Sequence, residues 1–387
     1  MRCSQSATRE YPFFGDHLVL FQPHTRQLML LNPTAGFIWR SHQAGDSDIR
    51  IAESMAEATG ASPADLLADV EASLSAWREQ ALLDGDCIPQ PAEPSRQDHS
   101  VPVVWPAATA WKYIQQLQLC GRHICLRTTS SDIHQALLPI LAHLAEHHEG
   151  GWEHCLSIWQ TADGHTHIAV DEQLSDSLQH EDAVISRILY ELVELCYRRD
   201  ENLAVLHASA VAIDTGALIL AGAGGSGKTT LAASLQSRGF TYLSDDVSPV
   251  TTKSHRVRPV AMSQAIKAGS WPVLETLRPE LHAQHSYQRF SHSVRFLPPI
   301  TGCPGDWNRS WPIKGLLFPL YQPHSSGVCR ALNPLESLQK LLQSNSIYSD
   351  NVADLLRLLE QTPAFELHYA DLEQAHTGIQ KIITMID

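Results

Sequence analysis

The stretch Leu218-Ile219-Leu220-Ala221-Gly222-Ala223-Gly224-Gly225-Ser226-Gly227-Lys228-Thr229-Thr230 decides how the rest of the chain is read. An apolar run that fits a buried strand enters a glycine-rich loop, and Leu231-Ala232-Ala233-Ser234-Leu235 opens a helix behind it. Gly222 to Thr229 satisfies G-x-x-x-x-G-K-[ST], the phosphate-binding P-loop. Glycines let successive backbone N–H groups approach phosphate oxygens with no Cβ in the way. The following helix presents its positive end to the same anion. Gly222, Gly224, Gly225, Ser226, Gly227, Lys228, Thr229 and Thr230 are therefore the expected nucleotide site. Lys228 would reach the β/γ-phosphates and Thr229 would hold Mg²⁺, so ATP and Mg²⁺ are the implied cofactors. The bland reading is a glycine-rich turn of a Rossmann-like unit that happens to carry a lysine.

Two features bracket this loop. Upstream, Ala204-Val205-Leu206 reads as a strand leading into His207, with Ala208-Ser209-Ala210-Val211 behind it. Downstream, Phe240-Thr241-Tyr242-Leu243 reads as a strand whose end carries Ser244-Asp245-Asp246. Adjacent carboxylates at a strand's end suit phosphoryl transfer: one can deprotonate an attacking hydroxyl, the other can help hold Mg²⁺. Two close acids also push their pKa values apart. A solvated turn is the alternative for the pair.

Length and composition fit a globular protein of two or three domains: 387 residues, 43% hydrophobic and 18% charged. No apolar run approaches the length of a membrane span, and the first residues lack the apolar core of a signal peptide. The eight cysteines are scattered without a C-x-x-C pair, which argues against a zinc site and a disulfide framework and fits a reducing, cytoplasmic setting. The net charge of −14 disfavours nucleic acid and anionic membranes as partners. His143, His147 and His148 fall on one expected helix, without the carboxylates a metal site would add.

Before the core, Leu18-Val19-Leu20-Phe21 and Leu28-Met29-Leu30-Leu31 read as a hairpin. Asn32 and Pro33 open a helix through Ile38 and Trp39. A second helix runs from about Asp48 to Ala58 and stops at Gly60, and Ser62-Pro63 opens a third with Leu66, Leu67, Val70, Leu74 and Trp77 at helical spacing. Leu82-Leu83 closes this small winged-helix pattern over residues 1–88. That stretch holds six Arg and no Lys against twelve Asp and Glu, a net of −6, which excludes the usual charge of a DNA reader.

The hairpin, Leu31-Asn32-Pro33-Thr34-Ala35 leading to Ile38-Trp39, and the third helix ending in Trp77 through Leu83 resemble the PqqD-like family over residues 11–86. PqqD-like domains recognise leader segments of ribosomally made precursor peptides. The resemblance implies a peptide adding a strand to the sheet edge beside the third helix. Pro89, Pro91, Pro94, Pro102 and Pro106 then make residues 89–107 an extended linker. From 108 to 200 the chain reads as a scaffold lobe. It comprises a strand at Ile124-Cys125-Leu126, a helix from Ile133 to His147 broken near Pro139, a hairpin of Leu156–Trp159 with His167–Val170, and a long helix bearing Ile185 to Cys196.

His207, the loop at 222–229 and Asp245-Asp246 are similar, in order and spacing, to the HPr kinase/phosphorylase family, with the resemblance extending over about 110–387. This implies an α/β fold with a P-loop core related to phosphoenolpyruvate carboxykinase. It also implies phosphate transfer from ATP to a protein serine, and a possible homo-oligomer. Carried over, Asp245 would be the base, Asp246 its supporting and metal-holding carboxylate, Lys228 a β/γ-phosphate ligand, and His207 a lining residue of the site. The family's downstream Glu for Mg²⁺ has no counterpart near Val257-Arg258-Pro259-Val260 or Ile266-Lys267-Ala268-Gly269-Ser270. The chain therefore looks more like the HPr-kinase-related enzymes of peptide-modification clusters, with Lys267, Arg258 or Arg295 as the extra phosphate contact and Arg289 a further nominee. The expected function is an ATP-dependent kinase for a hydroxyl of a leader-bound precursor peptide. A small-molecule kinase with a structural N-terminal domain, or a nucleotide-sensing adaptor without turnover, are the alternatives.

Overall fold

The structure is a computed structural model that describes residues 8–23, 25–80, 82–83, 104–179, 181–197, 203–251, 253–289, 291–300, 309–344, 347–349 and 351–386. Two compact units divide the chain at Asp98/His99. Most of the expected linker lies outside the described residues.

The first unit runs β1 (Arg9–Phe13), β2 (His17–Gln22), β3 (Gln27–Leu31), α1 (Pro33–Gln43), α2 (Asp48–Thr59) and α3 (Pro63–Glu79). The sheet order is β1-β2-β3, antiparallel throughout. It carries one strand more than the sequence pattern indicated. Asn32 accepts the Ala35 amide at 2.8 Å to start α1, and Gly60, at φ 74°, ends α2. Leu18, Leu20, Ile38, Trp39, Ile51, Val70, Leu74 and Trp77 pack into one core, with the two tryptophans edge to face at 5.4 Å. Trp39 donates its indole N–H to Glu10 at 2.7 Å, tying β1 to α1.

The second unit begins with β4 (Tyr113–Leu119), β5 (Arg122–Thr128), α4 (Ser131–Leu141), β6 (His154–Gln160), β7 (Thr166–Val170), β8 (Gln173–Leu178) and α5 (Glu181–Tyr197). Then come β9 (Leu203–Leu206), β10 (Ala208–Ile213), β11 (Gly216–Ala221), α6 (Lys228–Gln236), β12 (Thr241–Ser244), β13 (Ser248–Thr251) and β14 (Arg256–Val257). Next are β15 (Gln264–Lys267), α7 (Trp271–Leu274), β16 (Ser286–Arg289), β17 (His292–Leu297), β18 (Trp311–Tyr321) and β19 (Cys329–Leu332). The unit ends with α8 (Pro334–Gln343), β20 (Ile347–Ser349), α9 (Val352–Gln361), β21 (Ala364–Tyr369) and α10 (Leu372–Ile386). Strands β4 to β8 form a five-stranded sheet in chain order, and β15-β17-β16 a small one. The large sheet runs β12-β10-β11-β18-β14-β13-β9-β20, with β21 on β18 and β19 on β21. The architecture is mixed α/β.

One expectation needs correction. The helix expected from Ile133 to His147, broken at Pro139, instead spans Ser131–Leu141 with Pro139 in its last turn, followed by a 3₁₀ turn at Ala142–Leu144. Complete burial of Leu137, Ile140 and Leu141 holds that turn despite the N–H the proline lacks. His147 and His148 therefore leave the helix, and no group of three or more His, Cys, Asp or Glu side chains placed to hold a metal occurs among the described residues. The stretch 108–200 packs against later segments of the same unit. Its core, from Leu117 to Cys196, includes Val260, Met262, Val294 and Phe296 from the later part of the chain.

A single topological fact positions the site. Strand β10 is antiparallel to both β11 and β12, while β11, β18 and β21 are mutually parallel neighbours. The start of β10 and the ends of β11, β12, β18 and β21 thus share one edge of the sheet. His207, the glycine loop, Asp245-Asp246, Tyr321 and Tyr369 all emerge there, where open α/β sheets place their ligands.

Candidate active site

The glycine loop turns directly from β11 into α6. Gly227, at φ 101°, starts the helix, and no side chain caps it, so its first-turn N–H groups face outward for an anion. A Cβ at Gly227 would lie 2.2 Å from the Tyr369 hydroxyl, so only glycine fits there. Lys228 folds back over the loop and donates from Nζ to the carbonyls of Gly222 at 2.6 Å and Ala223 at 3.1 Å. Burial pushes its pKa down; the charges of Asp246 and Asp245 pull the other way.

The two aspartates have different surroundings. Asp245 accepts on one oxygen from the Thr229 hydroxyl at 3.1 Å and from the hydroxyl of Ser209, a fully buried residue at the start of β10, the strand between those that carry the loop and the acids. Burial, then the neighbouring Asp246 charge, push the Asp245 pKa up to about 7, against the pull of the Ser209 and Thr229 hydrogen bonds and of Lys228. Asp246 adopts a left-handed backbone, φ 62°, and pairs through Oδ2 with Arg289 Nη1 at 3.1 Å. Its carbonyl accepts from His207 Nδ1 at 2.8 Å.

These groups surround a cavity of about 520 Å³. Of the residues expected from sequence, His207, Gly224, Gly225, Gly227, Lys228, Thr229, Thr230, Asp246 and Lys267 line it. Gly222, Ser226 and Asp245 sit behind that wall: Gly222 binds Lys228, Ser226 is buried, and Asp245 holds Thr229. Arg289 lines the cavity, whereas Arg295 and Arg258 do not. Arg295 is occupied elsewhere, pairing with Glu275 at 2.7 Å and stacking over Trp271. Sequence reasoning missed Ser209, whose signal is a lone hydroxyl in an apolar strand. It also missed Tyr321 and Tyr369, for which the sequence carries no local signal.

Thr229 presents a hydroxyl to the cavity with the Asp245 carboxylate 3.1 Å behind it, hard oxygen donors of the kind that fit Mg²⁺. The uncapped helix and buried ammonium fit a polyphosphate.

Residues 17–83 match the family described as coenzyme PQQ synthesis protein D (PqqD), so the N-terminal unit is PqqD-like over that span. Among solved structures, TbiB1 in complex with the TbiA(beta) leader peptide is similar at 20% identity. That match covers 23% of this chain and 100% of the other, with a TM-score of 0.20. No curated protein matches the chain.

Proposed function

We propose that this chain is an ATP-dependent kinase that transfers the γ-phosphate to a hydroxyl, serine above all, of a ribosomally made precursor peptide whose leader is held by residues 11–86. The observation that carries the reading is the convergence of Lys228, Thr229, Asp246 and Arg289 on one cavity at the end of an uncapped helix. The PqqD-like match supports the peptide half.

In this reading Lys228 turns from its loop carbonyls to the β- and γ-phosphates, and the first-turn amides of α6 hold the remaining oxygens. Asp246, on the cavity wall, orients the acceptor hydroxyl and takes its proton as the oxygen attacks phosphorus; the bond to the β–γ bridging oxygen breaks and ADP leaves. Arg289 sets the direction of the Asp246 carboxylate and opposes charge on the transferred group. Thr229 and, behind it, Asp245 are the residues that would hold Mg²⁺, which would supply charge neutralisation for the phosphates. This exchanges the roles that family resemblance implied for the two aspartates. The ground is geometric: Asp245 is committed to Thr229, and Asp246 faces the open space.

The test is to incubate the full chain with Mg-ATP and a leader-bearing peptide and to weigh the product. A gain of one phosphate on a serine is expected. No gain while ATP is bound would overturn the kinase reading.

A further inference from the structure

The cavity has two chemically different walls. One carries His207, Asp246, Lys267, Arg289 and His292. The other is built from the ends of β18 and β21 and the start of α10: Tyr321, Tyr369, Ala370, Asp371 and Leu372. A triphosphate and an attacking hydroxyl belong with the charged wall. This second wall holds no cation, and the Asp371 carboxylate in it repels phosphate, while its aromatic rings line the same space.

Tyr321 is the notable member of that wall. It is 51% exposed although it is a large aromatic. Its backbone is nonetheless fixed in place: the N–H donates to the Ser226 carbonyl at 3.2 Å, which registers the residue to the glycine loop. Its ring leans on Tyr369 at 6.0 Å and 61°, and Tyr369 is itself buried against Gly227. An open aromatic face whose backbone is fixed beside a phosphate loop and whose ring rests on a buried neighbour loses less entropy when something stacks on it than a free side chain would.

We infer that the ring of Tyr321, flanked by Ala370 and Leu372, is the platform for the nucleotide's base, so that ATP lies across the loop with its base on this wall and its terminal phosphate at Asp246. The inference rests on the nucleotide reading of the site. It assigns a base-recognising residue that neither the motif nor the carboxylate pair supplies. Base–aromatic stacking of this kind is worth about 1–3 kcal/mol, or about 5- to 150-fold in affinity.

The test compares two probes, ATP and inorganic tripolyphosphate, by titration calorimetry on the full chain and its Tyr321→Ala and Tyr321→Phe variants. The expected result is an ATP affinity about 5- to 150-fold weaker in Y321A, restored in Y321F, with tripolyphosphate bound equally by all three. A Y321A chain that binds ATP unchanged, or that loses both probes alike, overturns the platform while leaving the phosphate site standing. If the wild-type chain binds neither probe, the nucleotide reading falls and the platform falls with it.

Discussion

Asp246 and Asp245 are neighbours in sequence with opposite situations, one on a cavity wall and one tied to two hydroxyls. Asp246→Asn should lower turnover by about 10²- to 10⁴-fold, as expected for loss of a general base, while leaving the nucleotide dissociation constant near its original value. Steady-state kinetics beside calorimetry checks this, and loss of binding with turnover per bound nucleotide intact would contradict the role. Gly227→Ala forces a Cβ against the Tyr369 hydroxyl at a left-handed backbone position, so it should abolish nucleotide binding and lower the melting temperature together. The spacing of Lys228, Thr229 and the acid pair was legible because that chemistry is local. Ser209 and Tyr369 were not, because they reach the site only through strand pairing.

At the scale of elements, the helices of the PqqD-like unit were legible from their boundaries: Asn32 with Pro33, Gly60, and Ser62 with Pro63. Strand β1 was not. Arg9-Glu10-Tyr11-Pro12-Phe13 is half polar and holds a proline, the composition of an edge strand rather than a core one. In the second unit the turn after α4 carries a titratable link to a distant segment. His143 donates from Nε2 to the Ala261 carbonyl at 2.8 Å. Burial lowers its pKa from 6.5, with that hydrogen bond opposing. The folded chain therefore keeps the ring neutral while the unfolded chain takes a proton. This contribution to stability is fully present above pH 6.5 and is lost as pH falls below it. His143→Gln, which can keep the donor without titrating, should flatten the fall in melting temperature on the acid side; an unchanged slope would show that other groups govern it. Leu137, fully buried in the same core, should cost about 2–5 kcal/mol when cut to alanine, measured by urea unfolding.

Across the whole molecule, the two units have separate cores, so removing residues 1–98 should leave ATP binding by the second unit intact. Under the proposed function the same truncation should raise the KM for a leader-bearing peptide and spare kcat, since a lost tether lowers effective concentration and not chemistry. Equal KM values for full and truncated chains would favour the small-molecule alternative. Overall acidity was readable from composition, and it limits which surfaces can approach phosphates: the cationic groups around the cavity are few and local.

The placement of β10 between β11 and β12 has one more consequence. The spacing of the β11 and β12 main chains, from which loop and acids leave, is gauged by two inter-strand steps, about 10 Å, and not by the length of the chain that connects them. Residues inserted into the Ser237–Gly239 turn should thus lengthen the tether without stretching the jaws, whereas a one-residue slip in β10 would throw the whole calliper out of true.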